Sequence, residues 1–314
     1  MPYSIRHRTQ FRYEPEVRES IMEVRMQPRT DARQRCLTFS LEVSPQTNVM
    51  SYRDFLGNSV HHFDIPGRQR QIRITAHAIV DVQPPSALDP RLVLDWDLLD
   101  SRVARADHWD MLLPSHYAHP TALLTELEQE LQIRRRATPL DTLREINDAV
   151  YRTFAYAPNS TQVDSPIDDA LQARQGVCQD FAHIMIVLVR QLGIPCRYVS
   201  GYLFHSDQND RSLEGATHAW VEAFLPDLGW IAFDPTNNLT GSQRHIGVAI
   251  GRDYADVPPT RGVYKGSAEG ELSVAVTVTP VDAPQPEELP PATVIRRPRP
   301  ADRAFLDQQH QQQQ

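Results

Sequence analysis

Glycine is scarce in this chain of 314 residues, 13 against 25 prolines. Connections richer in proline than in glycine are rigid turns rather than flexible linkers, which suits strands joined by tight corners. Cysteine is scarcer. Cys36, Cys178 and Cys196 cannot all pair and lie far apart in sequence, so neither a disulfide scaffold nor a cysteine-based zinc site is expected. Lysine is almost missing: Lys265 is the single one, and arginine supplies the rest of the 32 basic residues. The net charge of −8 offers no global basic field, so neither nucleic acid nor an anionic membrane is an expected partner. No run of about 18 apolar residues exists, so no membrane span is expected. The opening MPYSIRHRTQFRYEP carries charges where a signal peptide needs an apolar stretch. Together these features predict a reducing, cytoplasmic setting.

What remains is ordinary for a globular protein, 40% hydrophobic and 23% charged, with length for about two domains. Residues 1–85 read as all-β, in five short segments: Tyr3–Tyr13, Ile21–Met26, Leu37–Val43, Val60–Ile65 and Ile72–Val82. Leu37, Phe39, Leu41 and Val43 alternate with polar neighbours, the pattern of a half-buried strand. Pro28, Pro45, Gly57-Asn58 and Pro66-Gly67 read as turns between the segments, and the block as a β-sandwich. Residues 86–150 form a helical connecting region. Its helices are predicted at Thr121–Gln132, from leucines at helical spacing, and from Thr138-Pro139 to about Phe154, from an N-cap followed by an N1 proline. Residues 281–314, with clustered prolines and a QQHQQQQ end, read as a disordered tail.

Residues 151–280 hold the chemistry. A short helix is predicted from Ser165-Pro166 to Gly176. A second, apolar nearly all round and so buried, runs from Val177 to Gly193. Cys178 falls in its first turn, where free N–H groups and positive partial charge favour a thiolate and can receive an oxyanion. A nucleophile needs a base. His183 lies about 140° round the helix from Cys178, at ~100° per residue, and reads as a core or surface histidine. In THAWVEAFL, Ala219, Val221, Ala223 and Leu225 share one face of a strand, while His218, Trp220, Glu222 and Phe224 share the other. His218 is the candidate base. Asp234, closing the next strand in GWIAFDPT, is the candidate orienting acceptor. A four-residue hairpin loop would set Val221 opposite Asp234. His218 would then be about 10 Å away at ~3.3 Å per residue, so the pair requires a bulge or a tighter turn.

The segments RQGVCQDFAHIMIVLVRQLGIPCRYVSGYL, HAWVEAF and GWIAFDPTNN, with RHIGVAIGRDYADV beyond, resemble the bacterial transglutaminase-like core. That core is a branch of the papain-like cysteine hydrolases, and the β-rich start resembles the N-terminal domain of the same family. The resemblance implies an α+β fold: an N-terminal β-sandwich followed by a papain-like core, with the nucleophile's helix packed on an antiparallel sheet. It also implies a Cys178–His218–Asp234 triad and no cofactor. A second oxyanion donor would come from FAYAPNSTQ, where Tyr156 and Gln162 are the candidates. Asp180, Trp220, Glu222 and Tyr202 are candidate cleft residues, each equally readable as structural.

The expected reaction is cysteine-dependent acyl transfer on a peptide or carboxamide bond of a peptide or protein substrate. Hydrolysis, as protease or amidase, is preferred. Transamidation of protein glutamine to an amine is the alternative, and a catalytically silent interaction module is the rival from another class. No metal is expected: His61 and His62 point to opposite faces of a strand, and His116 and His119 flank a loop.

Overall fold

The computed structural model describes residues 1–84, 95–105, 108–158, 160–205, 210–212, 215–266 and 269–282. The five segments expected in the β-rich block merge. Tyr3–Tyr13 and Ile21–Val24 belong to one strand, β1 (Pro2–Val24), and Val60–Ile65 and Ile72–Val82 to another, β4 (Ser59–Val82). Between them lie β2 (Gln34–Ser44) and β3 (Met50–Arg53). The expected turn at Pro66-Gly67 is instead an irregularity inside β4. There the register against β1 slips between Arg18↔Arg68 and Ser20↔Ile65. A proline at an unpaired bulge position sacrifices no ladder hydrogen bond, so the strand bends and continues. The Gly57 turn forms as expected, with Gly57 at φ 77 and its N–H donated to the Asp54 carbonyl.

Beyond the β-rich block come α1 (Trp96–Ala104), α2 (Ala122–Glu130) and α3 (Pro139–Thr153). α3 starts where its cap predicts, with the Thr138 hydroxyl accepting from the Asp141 N–H at 3.0 Å. α1 buries only Leu99, and its sequence carries no helical periodicity strong enough to announce it. A two-residue strand, β5 (Ala155–Tyr156), then leads to α4 (Ile167–Ala173). This helix ends at Arg174, which takes the left-handed conformation, rather than at the glycine two residues on.

β6 (Gln175–Gly176) pairs in parallel with β5 and feeds straight into α5 (Cys178–Gln191). Every residue of α5 from Gln179 to Arg190 is buried, as its all-round apolar pattern requires. A second antiparallel sheet follows: β7 (Cys196–Leu203), β8 (His218–Leu225), β9 (Gly229–Asp234), β10 (Leu239–Thr240) and β11 (His245–Gly251). Their spatial order is β10-β9-β8-β7-β11. Ala219, Val221 and Ala223 face the core shared with α5, and Trp220 packs on the other face with Val199, Ala232 and Ile250. The fold is thus mixed α and β with antiparallel sheets.

The last two strands, β12 (Thr260–Lys265) and β13 (Glu269–Pro280), leave the second sheet. Both pair with β1, β13 from Tyr3↔Pro280 to Glu14↔Glu269 and β12 from Arg18↔Lys265 to Val24↔Thr260. The alternation at Leu272–Val278 is therefore a strand of the N-terminal sheet, although the sequence places it inside 151–280. Residues Met1–Val281 make one compact unit. From residue 283 on, the expected tail lies outside the described residues.

Two side-chain amides join the sheets. Gln34 accepts from the Gly247 N–H at 2.7 Å and donates to the Gly247 carbonyl at 2.8 Å. Asn58, fully buried, does the same to Ile250, at 2.8 Å in each direction. β11 is the edge of its sheet, so these amides satisfy backbone groups that no strand reaches.

Candidate active site

Cys178 is the first residue of α5 and is partly buried. Helix geometry leaves the first N–H groups without intrahelical partners. One of the neighbouring donors, the Val177 N–H, is taken by Asp180 Oδ2 at 2.8 Å. The Thr161 hydroxyl donates to the same oxygen at 2.6 Å, and Asp180 is 2% exposed. Asp180 therefore caps the helix and anchors the loop before it instead of lining a cleft. Gly176 makes this possible, since a Cβ there would sit 2.7 Å from Asp180 Oδ2.

The hairpin register resolves the gap left by the sequence. Leu225 pairs with Gly229 and Val221 with Phe233, so residues 226–228 form a turn one residue tighter than a four-residue loop. Asp227 at φ 64 and Gly229 at φ 71 supply the left-handed positions. Asp234 thereby falls opposite Trp220, on the face that also carries His218 two residues away. His218 Nε2 lies 2.8 Å from Asp234 Oδ2, with both residues buried.

Asp234 is the centre of a larger network. Its Oδ1 accepts the N–H groups of Thr236 at 3.0 Å and Asn237 at 3.2 Å. Its Oδ2 accepts His218, the Asn237 side-chain amide at 2.9 Å, and Nε2 of His245 at 3.0 Å. Burial alone would push the Asp234 carboxyl up, but the two imidazoles overcome it and hold it well below the usual carboxylate range. Burial would likewise strip His218 of its proton. Asp234 and the neighbouring Cys178 sulfur reverse that and raise it to about 10. A carboxylate only accepts, so Nε2 of His218 must carry a hydrogen, leaving Nδ1 as the nitrogen free to exchange a proton. Nδ1 is buried and has no hydrogen bond of good geometry.

The other sequence candidates separate. Tyr156 is brought beside the cysteine: it pairs with Gly176, and its ring meets Phe181 edge-on at 6.5 Å. Gln162 is exposed, with its backbone N–H on Ser165 Oγ at 3.0 Å. Trp220 is 2% exposed and lies behind the histidines, stacked 6.0 Å from His218 and edge-on to His245 at 4.9 Å. Glu222 is held by Arg197 at 2.6 Å, and Tyr202 is a buried partner of His7 at 2.9 Å. His183 is 2% exposed, accepts the Tyr254 N–H at 3.2 Å and stacks on Tyr117, a core histidine as expected. Two contributors went unnoticed in the sequence, Asn237 and His245. Asn237 follows the DPT motif directly, which was the available signal.

Among the described residues, His218, Asp234 and His245 also form a group whose ligand atoms lie within 4.8 Å of one another. Their bonding does not fit a metal, because both Nε2 atoms are committed as N–H donors to one carboxylate oxygen.

Comparison with known proteins agrees with this architecture. Residues 127–235 match the transglutaminase-like superfamily core, and residues 3–81 match the bacterial transglutaminase-like N-terminal region. An uncharacterized protein of Mycobacterium tuberculosis is 34% identical over 304 residues, covering 89% of this chain and 93% of its own length. The chain belongs to the transglutaminase-like superfamily. All three candidate triad residues of this transglutaminase-like chain fall within the matched core. A protein-glutamine gamma-glutamyltransferase of Pseudomonas aeruginosa is 28% identical over 181 residues, 54% of this chain and 27% of that protein. A crystal structure from Cytophaga hutchinsonii, provisionally named a cysteine protease, superposes with a TM-score of 0.68 at 24% identity, over 90% of this chain and 92% of that one. It shares the fold.

Proposed function

We propose that this transglutaminase-like chain catalyses acyl transfer through Cys178, and that water is the usual acceptor. The observation that carries the reading is the state of His218. Its Nε2 is fixed on a buried carboxylate, and its remaining nitrogen stands free beside the thiol. With His218 charged, the Cys178 proton already rests on His218 Nδ1, and the sulfur attacks a carboxamide or peptide carbonyl as the thiolate. The Cys178 N–H, at the open start of α5, donates to the oxyanion. His218 returns the proton to the departing amine, and water then releases the acid. Asp234 holds the ring in the tautomer this requires.

Transamidation is the second reading, favoured by the likeness to the Pseudomonas glutamyltransferase. It uses the same acyl-enzyme and replaces water by an amine.

The test is labelling with iodoacetamide and with an epoxide probe, followed by peptide mapping. Then a glutamine-containing peptide substrate is supplied with and without cadaverine. Modification confined to Cys178, with ammonia or peptide released and no cadaverine incorporated, supports hydrolysis. Incorporation supports transamidation. An unreactive Cys178 removes both.

A further inference from the structure

Asp234 Oδ2 serves two histidines at once, and a two-residue dyad needs only one of them. His245 comes from β11, three strands away from Asp234 in the sheet order, and its Nε2 still reaches Oδ2 at 3.0 Å. On β7, one of the two intervening strands, Gly201 leaves room for the Trp220 ring that lies against both histidines. A Cβ there would lie 2.2 Å from the Ile246 carbonyl oxygen and 2.6 Å from the Trp220 ring. The far nitrogen of His245 is occupied too: Nδ1 lies 2.8 Å from Ser242 Oγ, which itself accepts the Arg244 N–H at 3.1 Å. The hydroxyl still has its hydrogen to donate to Nδ1, and burial pushes His245 below its ordinary value, so the ring is neutral with its one hydrogen on Nε2.

We propose that His245 is a positioning residue that shares the Asp234 carboxylate with His218 and so weakens Asp234's hold on the His218 proton. The inference rests on the acyl-transfer reading given above. Without His245, Asp234 would hold the imidazolium of His218 more tightly. His218 must release that proton to the leaving amine in every turnover, so a second donor on the same oxygen helps the return step. Burial, His218 and Arg244 push His245 below its ordinary value and outweigh Asp234, in keeping with a neutral donor. A cavity of about 30 Å³ beside His245 is also lined by Arg29, Arg33, Asp31 and Glu222, two charges of each sign. No net charge there competes with Asp234. Three of the five donors to Asp234 come from Thr236 and Asn237, so the carboxylate stays in place when His245 is removed.

The test reads the iodoacetamide labelling rate of Cys178 against pH, by mass spectrometry, and needs no known substrate. In the unaltered protein the rate should already be high near pH 6.5 and step up again where His218 loses its proton and leaves a bare thiolate, whereas His218→Ala should be slow near pH 6.5 and show only the rise of an ordinary thiol at about 8.5. His245→Leu should keep the step and move it upward by about half to one pH unit, the scale of one lost charge-assisted hydrogen bond partly transmitted. His245→Gln, whose amide can donate to Oδ2, should lie near the unaltered protein. Ser242→Ala, which weakens the donor without removing it, should shift the step in the same direction by less. This variant also serves if His245→Leu fails to fold. A step that does not move in folded His245→Leu, or in Ser242→Ala where the former is unfolded, overturns the inference alone. A missing step in the unaltered protein overturns the acyl-transfer reading beneath it.

Discussion

Cys36 and Cys196 are internal controls for Cys178. Burial pushes the Cys36 thiol up and the Cys196 thiol to about 11, and Cys196 is fully enclosed. Cys178 alone stands at a helix N-terminus beside a histidine that stays charged up to about 10. At pH 6.5 its alkylation should outrun both others by at least ~10-fold, as expected when only one thiol has a cationic partner. Peptide mapping after brief iodoacetamide exposure checks this, and equal labelling of all three would contradict it. Cys178→Ala and His218→Ala should abolish turnover while leaving the far-UV spectrum unchanged. Asp234→Asn should cost roughly 10³–10⁴-fold in kcat, because its amide imposes the wrong tautomer. The double variant Cys178→Ala/His218→Ala should be no worse than either single one, since such groups act as a unit. These three residues were legible in the sequence because each sits in a motif with its own chemical signal. His245 was not: one histidine in RHIGVAIG looks like any core residue until the sheet order brings it across three strands.

At the scale of elements, sequence periodicity located most strands and helices but could not say where a strand continues. Pro66-Gly67 looks like a turn, and only the pairing of β4 against β1 turns it into a bulge. The strand at Leu272–Val278 was visible by its alternation, but its partner was not, because alternation fixes a face and not a neighbour. The same limit hid the amide clasps on β11. Asn58→Ala should destabilise by about 2–5 kcal/mol, since the Ile250 N–H and carbonyl are both left buried and unpaired. Urea unfolding would measure it, and a loss under about 0.5 kcal/mol would mean that the clasp is not made. Gly201→Ala should also destabilise, by about 1–3 kcal/mol or more, through overpacking against Trp220 and the Ile246 carbonyl. It should also slow Cys178 labelling, because the displaced Trp220 packs against both His218 and His245.

For the whole molecule, pH acts through buried histidines as well as through the site. Burial lowers His7 to about 4 and His183 to about 3, so the folded protein keeps both neutral while the unfolded chain takes up protons near 6.5. Stability from these groups is complete above pH 6.5 and is lost as pH falls towards 4. Between pH 7 and pH 5 His7 alone should cost about 2 kcal/mol. His218 has the opposite sign: raised to about 10, it stabilises fully below 6.5 and loses that contribution as pH rises through 10. Urea midpoints at pH 5, 7 and 9.5 should therefore peak at the middle value, and His7→Gln should flatten the acid side. A steady rise from pH 5 to 9.5 would contradict the His218 assignment, and a steady fall would contradict those of His7 and His183. The pairing of β1 with β13 bears on the order in which the chain can be completed. Tyr3 meets Pro280, so β1 waits for the described strand farthest from it in sequence. During synthesis at about 5–20 residues per second, β1 would spend many seconds with that edge open. The nascent chain should depend on something holding that edge, and refolding from urea should be slower and more concentration-sensitive than its helical content suggests.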